Sequence, residues 1–314
     1  MKPLFLNILL MLMGAFLFFS CNDDELNKKS IFENPDETPD PESYSYLLDC
    51  WLCDNYLLPY NLQFRYRMQD VETDMDYNLI PAEYEKAIDM AVVTKYLWFD
   101  SYTSVAGSHF LKLYGPRMIH LIGSPAYNPV NGTMILGLAE GGIKVTLFRC
   151  NQFDPDNIDE MNEMYFKTIH HEFIHILHQL KNYPVDFNLI STNYYEPYSW
   201  QDRDFQVAAS LGFVSSYAGA EPREDFAEVI ANYVVKTDDQ WRKILDIASM
   251  EPNNADGVDG KAVILQKLVI CKQWMKDSWN IDLDRLRNEV QSRQIFIDMD
   301  SLRMQLNVYS QKNN

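Results

Sequence analysis

Between Met161 and Lys181 the chain reads MNEMYFKTIHHEFIHILHQLK, and inside it His171, Glu172 and His175 spell H-E-x-x-H. Two histidines four residues apart stand one above the other on a single helix face. Their ring nitrogens can converge on one metal, with Glu172 beside it to take the proton from a bound water. Five letters recur by chance, so the context matters. Met161, Met164, Phe166, Ile169, Phe173, Ile176, Leu177 and Leu180 give the stretch the apolar content of a buried helix, and no Gly or Pro interrupts it. The bland alternative is a core helix with two satisfied histidines.

A catalytic zinc site needs a third protein ligand and an open position. His178 lies on the same face, but the helix rises about 10 Å from His171 to His178, while ligand atoms sit about 2 Å from zinc. His178 therefore reads as a helix-surface or packing histidine. The metzincin pattern needs Gly and then His where this chain has His178 and Lys181, so that class is excluded. The third ligand must come from elsewhere, and Glu221–Val235, EPREDFAEVIANYVV, supplies candidates. Glu221, Glu224 and Glu228 share one face of a second helix, whose Phe226, Val229, Ile230 and Tyr233 form an apolar face. A carboxylate beside such a face needs a partner, and a metal is one. Glu224 is the expected ligand. Glu228, one turn on, is expected to hold a ligand histidine in the right tautomer through its other ring N–H. Spacing alone does not separate Glu224 from Glu221 or Glu228, and acidic residues also favour a helix's first turn for dipole reasons.

The ends and the composition bound the rest. Lys2 followed by the apolar run Leu4–Phe19 reads as a signal peptide over 1–20, too short for a comfortable membrane span. Ser20-Cys21 resembles a bacterial lipoprotein cleavage site, at which Cys21 becomes the lipidated first residue. Residues 21–43 carry Asp23, Asp24, Glu25 and Pro35, Pro39, Pro41, the composition of a tether that does not fold. Acidic residues just after such a cysteine resemble a surface-export signal. Residues 44–314 are enough for a single domain with a substantial core. The formal net charge of −18 argues against nucleic acid, which calls for a basic footprint. Cys50 and Cys53 form C-x-x-C without a second metal-spaced pair and read as buried apolar cysteines or a chance pair, and the sequence leaves open the disulfide status of these two and of Cys150 and Cys271.

The pattern predicts a short helix over Tyr44–Tyr56, a strand over Asn61–Met68, and a long helix over Pro81–Tyr102 with Pro81 in its first turn. Helix or turn follows over Ser108–Tyr114, and a strand over Arg117–Ile122. Asn131-Gly132 signals a turn. Thr133–Ala139 and Ile143–Cys150 then read as two strands joined through Glu140-Gly141-Gly142. Gly137–Gly142 is expected near the cleft, since glycine allows close backbone approach; an ordinary tight hairpin is the plain reading. An edge strand there can take an extended peptide by strand addition above the metal helix. The connector Asn182–Glu221 is rich in aromatics that can wall the cleft or pack beneath a loop. Asn253–Gly260 lacks the calcium-loop spacing and reads as a plain loop. Ala262–Trp279 and Leu283–Arg293 are amphipathic helices.

These stretches carry a resemblance. WLCDNYLLPYNLQFRYR, LIGSPAYNPVNGTMILGLAEGG, HHEFIHILHQ and EDFAEVIANYV resemble the bacterial zinc-metallohydrolase lipoproteins found beside outer-membrane nutrient-import systems, a metallopeptidase family. The resemblance implies an α+β, zincin-like fold, with a small mixed sheet on the H-E-x-x-H helix, a helical C-terminal part and one zinc. It also implies an outer-membrane transporter and its surface binding lipoprotein as neighbours. SYAGAEPREDFAE is similar to the end of the lethal-factor type of zinc peptidase domain, where a tyrosine precedes the first Glu of E-x-F-A-E by seven residues. That implies Glu224 as ligand, Glu228 behind a ligand histidine, and Tyr217 as hydrogen-bond donor to the developing oxyanion, a role a phenol near zinc can fill.

The expected activity is peptide-bond hydrolysis by a lipid-anchored zinc metallopeptidase of the outer membrane, surface-exposed or facing the periplasm. Zinc is held by His171, His175 and Glu224, and Glu172 is the general base. The alternative is a non-catalytic lipoprotein that captures peptide or glycan for import. Glu172 speaks against it, because a purely structural zinc site needs no glutamate there and closes its fourth position with another protein ligand.

Overall fold

The computed structural model describes residues 39–68, 77–130, 132–249 and 257–313. The signal-peptide reading, Cys21, most of the tether, Asn131 and the first half of the Asn253–Gly260 loop lie outside the described residues. Residues Pro39–Asn314 form one compact unit.

In chain order, α1 (Tyr46–Leu52) runs through a π-helical turn, Cys53–Leu57, into Leu58–Tyr60. Strand β1 (Gln63–Arg65) follows, then α2 (Tyr84–Thr94), a second π turn (Lys95–Phe99), α3 (Asp100–Ala106) and α4 (Phe110–Tyr114). Next come β2 (Met118–Leu121), β3 (Ala126–Tyr127), β4 (Met134–Ile135), β5 (Gly137–Glu140) and β6 (Lys144–Leu147). Helix α5 (Ile158–Met161) passes through a third π turn (Asn162–Phe166) into α6 (Lys167–Leu180). Helices α7 (Asp186–Ile190), α8 (Phe205–Ser210), α9 (Pro222–Val235), α10 (Asp238–Ala248), α11 (Gly260–Trp279), α12 (Leu283–Ile295) and α13 (Met299–Met304) complete the chain.

The main sheet has the order β1-β2-β6-β5, with β1, β2 and β6 parallel and β5 antiparallel to β6 at one edge. Strands β3 and β4 form a separate antiparallel pair. The fold is α+β, predominantly helical, as expected. Ile119, Leu121, Val145 and Leu147 make the buried surface of the sheet, and Ile169, Phe173, Ile176 and Leu177 give α6 its buried stripe. Helix α6 packs below β5 and alongside α9, whose Phe226, Val229, Ile230 and Val234 are fully buried. Strand, metal-motif helix and Glu-bearing helix are thereby packed against one another.

The structure revises several element boundaries. Pro81 is not in a helix: it bridges to Ile122, and α2 starts at Tyr84. Asn151 is the cause, because its side chain donates to the Pro81 carbonyl and accepts from the Glu83 amide at 2.7 Å, holding this segment against the end of β2. The single strand expected over Thr133–Ala139 divides at Leu136, whose carbonyl accepts from Phe148 instead. Cys150 leaves the strand for a 3-10 turn, and its buried thiol is free, as is that of Cys271. Gly132 has φ 71° in the turn between β3 and β4, a conformation that favours glycine.

Candidate metal centre and active site

Helix α6 carries His171, Glu172 and His175, and α9 brings Glu224 and Glu228 against them. His171 Nε2 lies 2.9 Å from Glu224 Oε2 and 2.9 Å from His175 Nε2, and His175 Nε2 lies 3.2 Å from Glu224 Oε2. Among the described residues these three form the group able to hold a metal ion. Glu228 Oε1 sits behind them, 3.0 Å from His171 Nδ1. Its second oxygen accepts from Ser215 Oγ at 2.6 Å and Asn232 Nδ2 at 3.2 Å. Glu221 points elsewhere, paired with Arg223 at 2.9 Å.

The donor chemistry fits a cation. A carboxylate only accepts, so Glu228 fixes the His171 proton on Nδ1 and leaves Nε2 as a lone pair. That lone pair faces a Glu224 oxygen and a second imidazole nitrogen at hydrogen-bond distance, an arrangement that repels unless a positive charge lies among the three. Ligand atoms bound tetrahedrally to zinc at ordinary lengths stand about 3.3 Å apart, close to the separations here. With only protons available, burial opposes a charge on His171, but Glu224 and Glu228 outweigh it and lift the imidazole to about 10. Burial raises Glu224 and Glu228 too, yet the two histidines hold Glu224 far below the carboxylate range, and Lys167, His171 and Ser215 hold Glu228 at about 2. Both carboxylates are thus anionic and ready to hold a cation.

Glu172 is buried beside this triangle. Burial raises its pKa against the pull of His171 and His175, and it accepts a hydrogen bond from the Ala139 backbone amide of β5. Gly137 makes this approach feasible: a Cβ there would meet Thr168 Cγ2 at 2.3 Å and Glu172 Cγ at 3.7 Å. The glycine expectation therefore divides. Gly137 lies at the site, whereas Gly141 and Gly142, with φ of 59° and 69°, form the tight turn beyond it.

A cleft of about 560 Å³ opens over the triangle, between Met134–Leu138 on one side and Pro197, Trp200, Tyr217 and Glu221 on the other. The Tyr217 ring stands 5.7 Å from that of His171 and 4.9 Å from Trp200, edge-on to the latter. Burial and the neighbouring Glu224, to which its hydroxyl donates, raise the Tyr217 pKa far above its usual value, so it remains a donor. The aromatic connector splits between both expected roles. Trp200 and Tyr217 wall the cleft, while Phe187 and Phe213 are core and Tyr183 stacks on Phe226 at 4.3 Å.

His178 is the site residue that sequence reasoning missed. It is neither on the surface nor mere packing: its Nε2 lies 2.8 Å from His175 Nδ1. The rise along the helix rules it out as a ligand, but the next turn is within reach of the far side of a ligand ring. Spacing of three from His175 was the available signal.

A profile of a family described as "putative zinc-binding metallo-peptidase" matches residues 42–284. The chain belongs to this family. A crystal structure of a "putative zinc-binding metallo-peptidase" from Bacteroides caccae superposes with TM-score 0.68 at 39% identity, covering 86% of this chain and 99% of that one. No curated protein matches. The zinc-binding metallopeptidase family accounts for the fold and for zinc as the cofactor, and the His171–His175–Glu224 triangle is a group that could hold it.

Proposed function

We propose that this metallopeptidase hydrolyses peptide bonds of an extended polypeptide laid along the free edge of β5, with His171, His175 and Glu224 holding zinc. When bound, zinc supplies a Lewis acid that polarises a carbonyl and acidifies a water. Glu172 takes the proton of the attacking water and passes it to the leaving amine. The Ala139 amide keeps the Glu172 carboxylate turned toward the cleft. Tyr217 donates to the oxygen on which negative charge develops. Glu228, braced by Ser215 and Asn232, keeps His171 presenting its Nε2 lone pair. The β5 edge offers backbone groups to an extended chain, so recognition is largely independent of side chains. The observation that carries the reading is the position of Glu172, a buried carboxylate between the candidate ligand triangle and the edge strand β5.

The same reading places the protein on a lipid anchor at Cys21 in the outer membrane, near an import transporter and its surface binding lipoprotein. The test is metal content by mass spectrometry together with hydrolysis of an unfolded protein substrate, using residues 39–314. About one zinc per chain is expected, lost in His175→Ala and Glu224→Ala. Glu172→Gln is expected to keep zinc and lose turnover. Zinc with no hydrolysis in the wild type, alongside binding to a glycan array, would favour a capture lipoprotein instead.

A further inference from the structure

The two ligand histidines are held from behind by different kinds of group. Behind His171 stands Glu228, which accepts only, so His171 keeps a proton on Nδ1 whatever its Nε2 meets. Behind His175 stands another imidazole. His178 Nε2 lies 2.8 Å from His175 Nδ1, with the rings edge-on at 5.1 Å and 83°. His178 is buried and rests edge-on against Tyr183 at 5.7 Å.

A neutral imidazole donates from one nitrogen and accepts at the other, so this pair has two satisfied arrangements. In the first, His175 carries its proton on Nε2 and donates to Glu224 Oε2, 3.2 Å away. Its bare Nδ1 then accepts from His178 Nε2–H. In the second, His175 Nδ1–H donates to a bare His178 Nε2, and His178 keeps its proton on Nδ1. Only the second offers a lone pair at His175 Nε2.

We propose that His178 is the positioning residue of His175, and that zinc binding switches the pair from the first arrangement to the second. The proton of each ring moves from Nε2 to Nδ1, both rings stay neutral, and no proton is gained or lost by the pair. His175 is thus the adjustable ligand and His171 the fixed one. This inference rests on the zinc reading above.

Long-range proton–nitrogen correlation spectra of 15N-labelled protein test it, stripped of metal and then with one equivalent of zinc. His178 Nε2 is expected to be protonated in the stripped protein and bare in the loaded one, while His171 Nδ1 is protonated in both. An unchanged His178 Nε2 would overturn the switch. Zinc affinity by chelator competition gives the second arm. His178→Phe fills the space beside Tyr183 but accepts no proton, and is expected to weaken zinc about 10–100-fold. His178→Gln, which can still accept, is expected to stay near wild type. Equal affinity in His178→Phe and wild type would remove the positioning role, and if His178→Phe fails to fold, the spectra of the wild type decide. A wild type that binds no zinc would remove this inference and the metallopeptidase reading together, whereas zinc binding with unaltered His178→Phe affinity removes this one alone.

Discussion

His170, next to the first ligand, shows how the interior treats a histidine with no charge partner. It is fully buried, its Nδ1 lies 3.3 Å from the Tyr102 hydroxyl, and its Nε2 makes no hydrogen bond among the described residues. Burial pulls it down to about 3. The unfolded chain binds a proton at this position near pH 6.5, and the folded chain refuses it until about 3, so stability falls as pH drops through that window. From pH 7 to pH 5 the loss from this one group is about 2 kcal/mol. Urea denaturation of metal-stripped protein at the two pH values should show it in the wild type and not in His170→Asn. Equal pH dependence would mean that His170 charges inside the fold. His170 and His171 are neighbours of one residue type with opposite electrostatics, because helical geometry turns one toward Tyr102 and the other toward two glutamates. That contrast was legible as far as H-E-x-x-H identified which histidine faces a metal. The environment of His170, and the burial that keeps His178 against His175, depend on which residues of other elements come to rest beside them, which a single sequence does not state.

At the scale of elements, two contacts set the distances inside the site. One is the buried ion pair between Lys267 of α11 and Asp225 of α9, 2.6 Å apart with both side chains at 0% exposure. Asp225 directly follows the candidate ligand Glu224, accepts from Tyr195 at 2.8 Å, and Lys267 also donates to the Gly212 carbonyl at 2.8 Å. Removing one partner strands the other charge in the core, so Lys267→Met is expected to destabilise by about 3–5 kcal/mol. Lys267→Met combined with Asp225→Asn should recover much of that in urea denaturation; a double variant as unstable as the single would assign the loss to packing. The other contact is β5 on α6. Gly137→Ala drives a Cβ into Thr168 Cγ2 and moves the strand that carries the Ala139 amide. Zinc content should be unchanged while kcat falls by as much as about 100-fold, and adding Thr168→Ala should restore activity, because it removes the colliding methyl. Most long helices were legible from apolar periodicity, including α6, α9, α11 and α12. Helix α10 went unread, although Thr237 and Gln240 form a capping box at its start. The π turns, the split of β4 from β5 and the parallel pairing of β1, β2 and β6 were not legible. They follow from long-range contacts, such as Asn151 with Pro81 and Leu136 with Phe148, rather than from local propensity.

For the whole molecule, the chain from Pro39 onward forms a compact unit distinct from the segment before it. The candidate ligand group His171, His175 and Glu224, with Glu172 and the cleft, lies within the folded part. That segment has a different chemistry: an apolar run, Cys21, and then an acidic, proline-containing stretch up to Ser43. Among the described residues no helix is long and apolar enough to cross a membrane; the proposed lipid anchor at Cys21 rests on the sequence alone. A single acyl chain holds weakly and multiple chains hold firmly, so loss of the modified cysteine should release the protein. Cys21→Ser, expressed as the full chain in a Gram-negative host, is expected to move from the membrane to the soluble fraction with specific hydrolytic activity unchanged. If Cys21→Ser stays with the membrane through a detergent-free salt wash, attachment runs through the retained apolar run or the folded surface, and the lipid anchor falls while the metal site stands. Release with full activity would establish that location and catalysis are separable, with the anchor governing only which polypeptides the cleft encounters.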